Sequence, residues 1–94
     1  MYTLLMAKLR VLERIVKGFA NHRRIEILQL LEKVPELSIL EIARSLRVNF
    51  KTISEHTRRL HIAGLVMKRN EGNAVRHALS PLGKSILKFL RTLE

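Results

Sequence analysis

The sequence predicts a single, mainly α-helical domain with five helices and one small β-hairpin. Two observations lead to this prediction. Over most of the 94 residues, apolar side chains recur at spacings of three and four, which is typical of amphipathic helices. Between residues 65 and 79 the pattern changes to short, alternating or β-branched segments around a glycine, which is typical of a hairpin. No internal repeat or linker divides the chain, so we expect one domain over residues 1–94.

The first helix, predicted within residues 1–20, has an apolar seam with the spacing of a coiled coil. The seam consists of Leu5, Leu9, Leu12, Val16 and Phe19. Two interpretations are open, since the seam can pack on its own domain or on a second copy of the chain. Leu4 and Ile15 widen the stripe beyond what one small core needs, which favours the second copy.

The next two helices carry local start and stop signals. Asn21 is a candidate N-cap for a helix with the sequence HRRIEILQLLEK, which Pro35 ends. Its apolar residues lie on more than one side, so we expect this helix to be central. Ser38 and Glu41 have the spacing of a capping box at the start of a short third helix.

A tight turn separates the third helix from the fourth, which predicts a helix-turn-helix over residues 37–63. Asn49 can cap the fourth helix, which runs to about Ala63. Gly64 then supplies the left-handed residue that ends it. The outer face of this helix is polar and mostly basic.

The hairpin and a last helix complete the chain. The segments LVMKR and AVRHAL flank NEGN, where Asn70, Gly72 and Asn73 tolerate a positive φ, so we expect a hairpin over 65–79. Ser80 and Pro81 favour the start of a helix over 81–94. The predicted apolar side of this helix consists of Leu82, Ile86, Phe89, Leu90 and Leu93.

The charge of the chain indicates a polyanionic partner. Lysine and arginine total 18 against 8 acidic residues, giving a formal net charge of +10. Most of this excess falls on the helix-turn-helix and the hairpin. A solvated surface is the ordinary explanation of a charge run, but two elements that could flank a duplex groove favour nucleic acid, and double-stranded DNA first.

Specific residues can be assigned to such a contact. A helix in a major groove reads base edges with side chains near its N-terminus, and surrounding cations hold phosphates. The candidates for base contacts are Lys51, Thr52, Glu55 and, nearer the helix flank, Ser54. The candidates for phosphate contacts are Arg44, Arg47, Arg58 and Arg59. On the hairpin, the candidates for the adjacent minor groove or backbone are Lys68, Arg69, Asn73 and Arg76.

Several classes of function are excluded by what the sequence lacks. It has no cysteine, no aspartate and no glycine-rich phosphate loop, and its glutamates are scattered, so we expect neither an enzyme nor a cofactor. His56 and His61 are five residues apart and do not share a helical face, so we expect no metal site. His56 and His77 are interpreted as packing or hydrogen-bonding residues. No apolar run is long enough to span a bilayer, and we expect a cytoplasmic protein.

The segments ANHRRIEILQLL, LSILEIARSLRVNFKTISEHTRRLHIAGLV and KRNEGNAVRHALS resemble the ArsR-type winged-helix transcriptional regulators. The resemblance covers about residues 19–80. It implies a homodimeric repressor with a recognition helix over 50–63 and a wing over 66–78. It also implies dimerisation through the first and last helices. The interface residues expected on that basis are Leu5, Leu9, Leu12, Val16, Ile86, Phe89, Leu90 and Leu93.

Departures from the family pattern matter as well. Thr57 stands where the family usually has leucine, which predicts a looser contact between the recognition helix and the core. The third helix has no Cys or His, and LGKSILKFLRTL has no Asp, Glu or His, so metal sensing at the family's sites is not expected. The segment LSPLGKSIL also resembles MarR-like and other archaeal or viral winged-helix regulators, for which the compartment would be a host cytoplasm. The subfamily and the effector stay open.

One rival interpretation is a winged-helix protein-interaction module whose basic face binds an acidic partner. An RNA-binding role is less favoured, because the sequence lacks an aromatic platform and Phe50 is the only ring near the basic helix. Substitution of Lys51 and Thr52 separates base reading from protein binding.

Overall fold

The computed structural model describes residues 2–94, which form five helices and a two-stranded antiparallel sheet. The elements are, in chain order, α1 (Tyr2–Phe19), α2 (His22–Lys33), α3 (Ile39–Leu46), α4 (Phe50–Ile62), β1 (Val66–Glu71), β2 (Ala74–Leu79) and α5 (Pro81–Arg91). The predicted mainly α-helical class, with a hairpin between the fourth and fifth helices, is confirmed.

Side-chain caps start helices α2 to α5 where the sequence predicts them. The residues are Asn21, Ser38, Asn49 and Ser80, and each side-chain oxygen accepts hydrogen bonds from backbone N–H groups of the first turn. These N–H groups have no partner within the helix, so the cap satisfies donors that would otherwise be lost. Ser38 and Glu41 form the complete reciprocal capping box.

The core is aliphatic and surrounds α2, as its apolar sides predict. Ile27, Leu28 and Leu31 of α2 are buried against side chains from α3, α4, the hairpin and α5. The surrounding buried residues include Ile42, Ile53, Leu60, Leu65, Val66, Leu79 and Leu87. This arrangement holds the helix-turn-helix and the hairpin on one scaffold.

Helix α1 extends away from this core. Its only buried residues are Gly18 and Phe19, at its last turn. Eighteen residues of α-helix span about 27 Å, and the described chain is 46 Å along its longest axis. The radius of gyration is 14.1 Å, above the ~12 Å typical of a compact domain of this length. Most of α1 therefore has no packing partner within the described chain.

The hairpin differs from the prediction in its loop. Asn70 pairs with Val75 and Glu71 with Ala74, so the loop contains only Gly72 and Asn73. Of the three residues there that tolerate a positive φ, Gly72 alone adopts one, at 60°. A two-residue turn matches the twist of the flanking strands, which lets the ladder continue through Glu71.

Helix α5 also differs from the prediction. It ends at Arg91 and not at residue 94, and Leu93 lies in the following turn, where its N–H donates to the Leu90 carbonyl. Leu87 of α5, which the predicted apolar side omitted, is buried in the core. Gly83, one turn earlier, faces the core with it, whereas Phe89 is 52% exposed. The apolar side is thus split into a core-facing half and an exposed half.

Thr57 is fully buried on α4, and its hydroxyl has no hydrogen-bond partner among the described residues. An unsatisfied buried hydroxyl destabilises a fold by about 1–3 kcal/mol. We therefore expect Thr57→Val, which keeps the shape and removes the hydroxyl, to raise the free energy of unfolding by about 1 kcal/mol in urea denaturation. Thr57→Ser is the control, because it keeps the hydroxyl and loses the methyl group, and it should destabilise. A less stable valine variant would show that the hydroxyl has a partner.

Candidate nucleic-acid interface

Helix α4 has one buried face and one exposed face. Ile53 and Leu60 are fully buried, whereas Lys51 and Glu55 are exposed on the opposite side. The start of the helix is fixed by Asn49, whose Oδ1 accepts the Lys51 N–H at 2.8 Å. The helix-turn-helix consequently presents a polar helix face at the surface.

The four residues predicted to contact bases lie in the first two turns of α4. Lys51, Thr52 and Glu55 are exposed, and Ser54 is half-buried at the flank, as the sequence predicted. Among residues 2–94 the Lys51 ammonium has no carboxylate within ion-pair distance. This cation is therefore available to an external acceptor.

Glu55 is held by the two arginines that follow it on α4. Its carboxylate accepts hydrogen bonds from Arg58 at 2.8 and 3.0 Å and from Arg59 at 3.0 Å. These bonds, first to Arg58 and then to Arg59, lower the pKa of Glu55 to about 2, so the carboxylate is ionised at neutral pH. The i, i+3 and i, i+4 spacings of these residues permit the cluster, but it was not predicted from the sequence.

Arg44 and Arg47 lie beside the turn that precedes α4. Both are exposed, and neither has an ion pair with any residue of the described chain. Arg47 is the C-cap of α3 and adopts the left-handed conformation, with φ of 56° and ψ of 44°. Glycine usually occupies this conformation, so the chain places a cation at a strained position next to the exposed face of α4.

The hairpin arginines are more constrained than the sequence suggested. Arg69 and Arg76 are directly opposite each other in the ladder. Arg69 contacts Glu36 at 2.9 Å and Glu71 at 3.3 Å, and Arg76 contacts Glu41 at 2.7 Å. The carboxylates offset the repulsion between two like charges placed side by side. The network also attaches the hairpin to the start of α3.

The other two predicted hairpin residues are free. Lys68 is exposed on β1, and Asn73 is exposed in the two-residue loop at the hairpin tip. Neither side chain has an ion pair or a hydrogen bond with residues 2–94. The polar groups available for an external contact on the hairpin are thus at its tip and along β1.

Two tertiary contacts that orient the site were missed by sequence reasoning. Arg24 donates its Nε–H to Nδ1 of His56 at 3.2 Å and its Nη1–H to the Lys17 carbonyl at 3.0 Å, so it links α1, α2 and α4. Partial burial and the Arg24 charge lower the pKa of His56. The only sequence feature that could have indicated the Arg24 contacts was the run of cations directly after the Asn21 cap.

The second missed contact extends the hairpin. Leu37 forms a β-bridge with His77, and the Glu36 N–H donates to the His77 carbonyl at 2.8 Å. The buried His77 ring places Nδ1 at 2.8 Å from the Leu37 carbonyl oxygen, and burial lowers the pKa of this histidine. Both His56 and His77 are therefore hydrogen-bonding residues, as predicted.

No group of three or more metal-ligating side chains occurs within residues 2–94. Over the same residues, no helix combines the length and the apolar character needed to cross a membrane.

The comparisons with known proteins agree with this architecture. A family model described as bacterial regulatory protein, arsR family, matches residues 21–68. The homodimeric winged helix-turn-helix DNA-binding domain of a possible ArsR-family transcriptional regulator from Mycobacterium bovis is 28% identical, with a TM-score of 0.85 over 94% of this chain and 82% of that one. A search of curated protein sequences found no significant match.

Two HlyU structures are also similar. HlyU from Vibrio vulnificus, a transcriptional regulator, is 35% identical, with a TM-score of 0.72 over 97% of this chain and 92% of that one. HlyU from Vibrio cholerae is 30% identical, with a TM-score of 0.78 over 95% and 94% of the two chains. The shared fold and family are those of DNA-binding regulators and not of enzymes. The chain belongs to the ArsR family of winged helix-turn-helix transcriptional regulators.

Proposed function

We propose that this chain is a homodimeric, sequence-specific repressor in the cytoplasm that binds double-stranded DNA. In the proposed complex, the recognition helix over 50–63 enters the major groove and the wing over 66–78 follows the adjacent minor groove or backbone. The observation that carries the proposal is the exposed N-terminal half of α4, flanked by cations that have no acidic partner in the described chain. Those cations are Arg44, Arg47 and Lys51.

The residues divide into two roles. Lys51 can donate to guanine, and Thr52 can offer a hydroxyl or a methyl group to a base edge, with Ser54 at the flank. Arg44 and Arg47 are placed beside α4, where guanidinium groups can hold phosphate oxygens. On the wing, Lys68 and Asn73 are free for the backbone or minor groove, whereas Arg69 and Arg76 have to exchange their carboxylate partners to reach it. These four wing residues complete the proposed contact surface.

In this proposal, Glu55 determines whether Arg58 and Arg59 are available to phosphate. While its carboxylate binds Arg58 and Arg59, neither guanidinium is fully available to phosphate. If Glu55 accepts a hydrogen bond from a cytosine amine, the arginines can turn to the backbone. The cluster therefore couples base reading to phosphate binding.

The exposed apolar residues of α1 and α5 support the proposed dimer. The seam residues Leu5, Leu9, Leu12 and Val16 are about half exposed, with 48% to 58% of each side chain accessible. On α5, Phe89 and Leu93 are exposed, and Ile86 and Leu90 are half-buried at the edge of the same surface. The similar Mycobacterium bovis domain is homodimeric. A two-fold dimer predicts a pseudo-palindromic site with half-site centres about 34 Å apart.

The test is selection of bound DNA from a random pool, followed by gel-shift titration of the selected site over a salt series. We expect a log-log slope of about −0.9 per phosphate contacted. Lys51→Ala with Thr52→Ala should abolish preference for the selected site and leave the fold intact by circular dichroism. Lys84→Ala on α5 is the control and should keep the preference. A flat salt response, or binding of an acidic protein that these two alanines abolish without any effect on DNA, would favour the interaction module.

Removing the Glu55 charge should increase affinity for duplexes of unrelated sequence. Glu55→Gln releases Arg58 and Arg59 from their carboxylate, so we expect several-fold tighter non-specific binding at ~0.1 M salt and a salt slope steeper by about one contact. Gel shifts with a scrambled duplex measure both quantities. Glu26→Gln is the matched control, because it removes a carboxylate paired with Arg23 at 2.9 Å on α2. Equal changes in the two variants would show that overall charge, and not the cluster, limits binding.

A further inference from the structure

A groove of about 410 Å³ lies between α1, the start of α2 and the end of α4. This volume lies within the range of about 300–1,000 Å³ that is typical of small-molecule sites. The charged side chains that line it are Arg10, Glu13, Arg14, Lys17, Arg24 and Arg59. Five cations thus surround one concavity that contains a single carboxylate.

The carboxylate does not neutralise the groove. Glu13 lies 3.8 Å from Lys17, and both side chains are largely exposed, so this pair is weak. The side chains of Arg10 and Arg14 have no ion pair or hydrogen bond with any other residue in 2–94. Like charges around a concavity concentrate the positive potential there, which favours entry of an anion.

One of the arginines is already fixed in place. Arg24 donates its Nη1–H groups to the Lys17 carbonyl at 3.0 Å and to the Gly18 carbonyl at 3.4 Å. It therefore caps two carbonyl groups in the last turn of α1. Its Nε–H donates to His56 at 3.2 Å. A guanidinium held by three bonds loses little further freedom when an anion binds, so its position is pre-organised.

The floor of the groove is also fixed. Gly18 lies against Ala63, the C-cap of α4, and a Cβ at position 18 would overlap the Ala63 side chain, so the ends of the two helices are in close contact. Ile62, which is 58% exposed, and Ala63 supply an apolar wall. The groove therefore combines a rigid apolar side with converging guanidinium groups, which bind phosphate oxygens in a bidentate manner.

We propose that this groove is a binding site for phosphate groups, with a small phosphate-bearing anion as its ligand. Arg10 and Arg14 bind the phosphate oxygens, and Arg24 anchors them from the floor. Arg59 lies about 12 Å along α4 from Lys51, so the groove is away from Lys51, and among the residues proposed to contact DNA only Arg59 also lines it. An anion that also binds Arg59 withdraws this cation from Glu55. The same phosphate chemistry can come from the backbone of a duplex, and the experiment below distinguishes the two sources.

Inorganic pyrophosphate is the probe, and isothermal titration calorimetry on the full chain is the measurement. Arg10→Ala with Arg14→Ala should weaken pyrophosphate binding at least tenfold. Lys84→Ala with Lys88→Ala on α5 removes the same charge outside the groove and should change it less than twofold. Amide NMR signals of Gly18 and Ala63 should shift on titration of the wild-type chain. If the two double variants weaken pyrophosphate binding equally, the proposal is overturned, because binding then depends on overall charge and not on the groove.

The source of the phosphate is settled by the salt slope on DNA. If Arg10→Ala with Arg14→Ala loses pyrophosphate and keeps the wild-type slope, the ligand is a free anion. If the slope of Arg10→Ala with Arg14→Ala falls by about 0.9 for each cation removed, and the Lys84/Lys88 variant keeps the wild-type slope, the groove binds the duplex backbone. Absence of pyrophosphate binding together with an unchanged slope overturns the site. Since Arg10 and Arg14 are exposed, we expect both variants to fold, which circular dichroism verifies.

Discussion

Leu9→Glu combined with Leu12→Glu should convert the proposed dimer to a folded monomer and weaken operator binding at least a hundredfold. Both side chains lie on the exposed seam of α1, at 48% and 58% exposure, and neither packs against the core, so the substitution removes no core contact. In the proposed dimer, burial of its exposed half contributes about 1 kcal/mol for each leucine, and a carboxylate there would have to be desolvated without a partner. Sedimentation velocity measures the mass, and gel shift measures the affinity.

The loss of DNA affinity follows from the loss of the second half-site. When two recognition helices are joined in one dimer, the second binds at a high effective concentration, and a monomer forfeits this advantage. Lys33→Ala with Lys84→Ala is the charge-matched control, because it also lowers the net charge by two. It should stay dimeric. A glutamate variant that sediments as a dimer would show that the α1 seam is not the interface.

The helix starts could be predicted from the sequence because they depend on local chemistry. Asn21, Ser38, Asn49 and Ser80 each satisfy N–H groups two or three residues ahead, so the relevant atoms are close in the chain. The same holds for the buried face of α4, which follows from a period of 3.6 residues. The fold class and the apolar α1 seam were predictable on this basis, although Phe19, the last residue of the seam, packs in the core.

The electrostatic arrangement of the site could not be predicted in the same way. Long arginine side chains can reach several carboxylates, and the choice depends on which elements meet in the fold. Arg69 contacts Glu36 and Arg76 contacts Glu41 because the Leu37–His77 bridge brings the segment before α3 against the hairpin. Nothing local in the sequence indicates this bridge. The wing therefore carries fewer free cations than its composition suggested.

The steric requirement for glycine at position 83 could not be predicted from the sequence either. Gly83 lies in the first turn of α5, where a Cβ would overlap the backbone carbonyl of Leu65. We expect Gly83→Ala to lower the free energy of unfolding by about 1–3 kcal/mol, even though alanine is favoured over glycine in helices by about 1 kcal/mol. For a chain of this size, that loss corresponds to a Tm about 5–20 °C lower at equal protein concentration. Thermal and urea denaturation followed by circular dichroism measure it.

The overlap at Gly83 is hard to relieve because both sides are fixed. The Ser80 hydroxyl donates to the Gly64 carbonyl at 2.6 Å and accepts the Gly83 N–H at 3.0 Å, which holds the start of α5. Leu65 is fully buried, and its N–H donates to the Leu60 carbonyl at 3.0 Å. An alanine must therefore displace α5 from the hairpin rather than move a flexible side chain.

Two alanine variants separate this steric effect from the general effect of replacing a residue. Ser85→Ala, on the exposed side of α5, should leave stability nearly unchanged or slightly raised, because it changes only helix propensity. Gly72→Ala has no atom near its new Cβ, so it should lose only the ~1 kcal/mol that a left-handed φ of 60° imposes on alanine. If Gly83→Ala proved as stable as the wild type, α5 would not lie against Leu65.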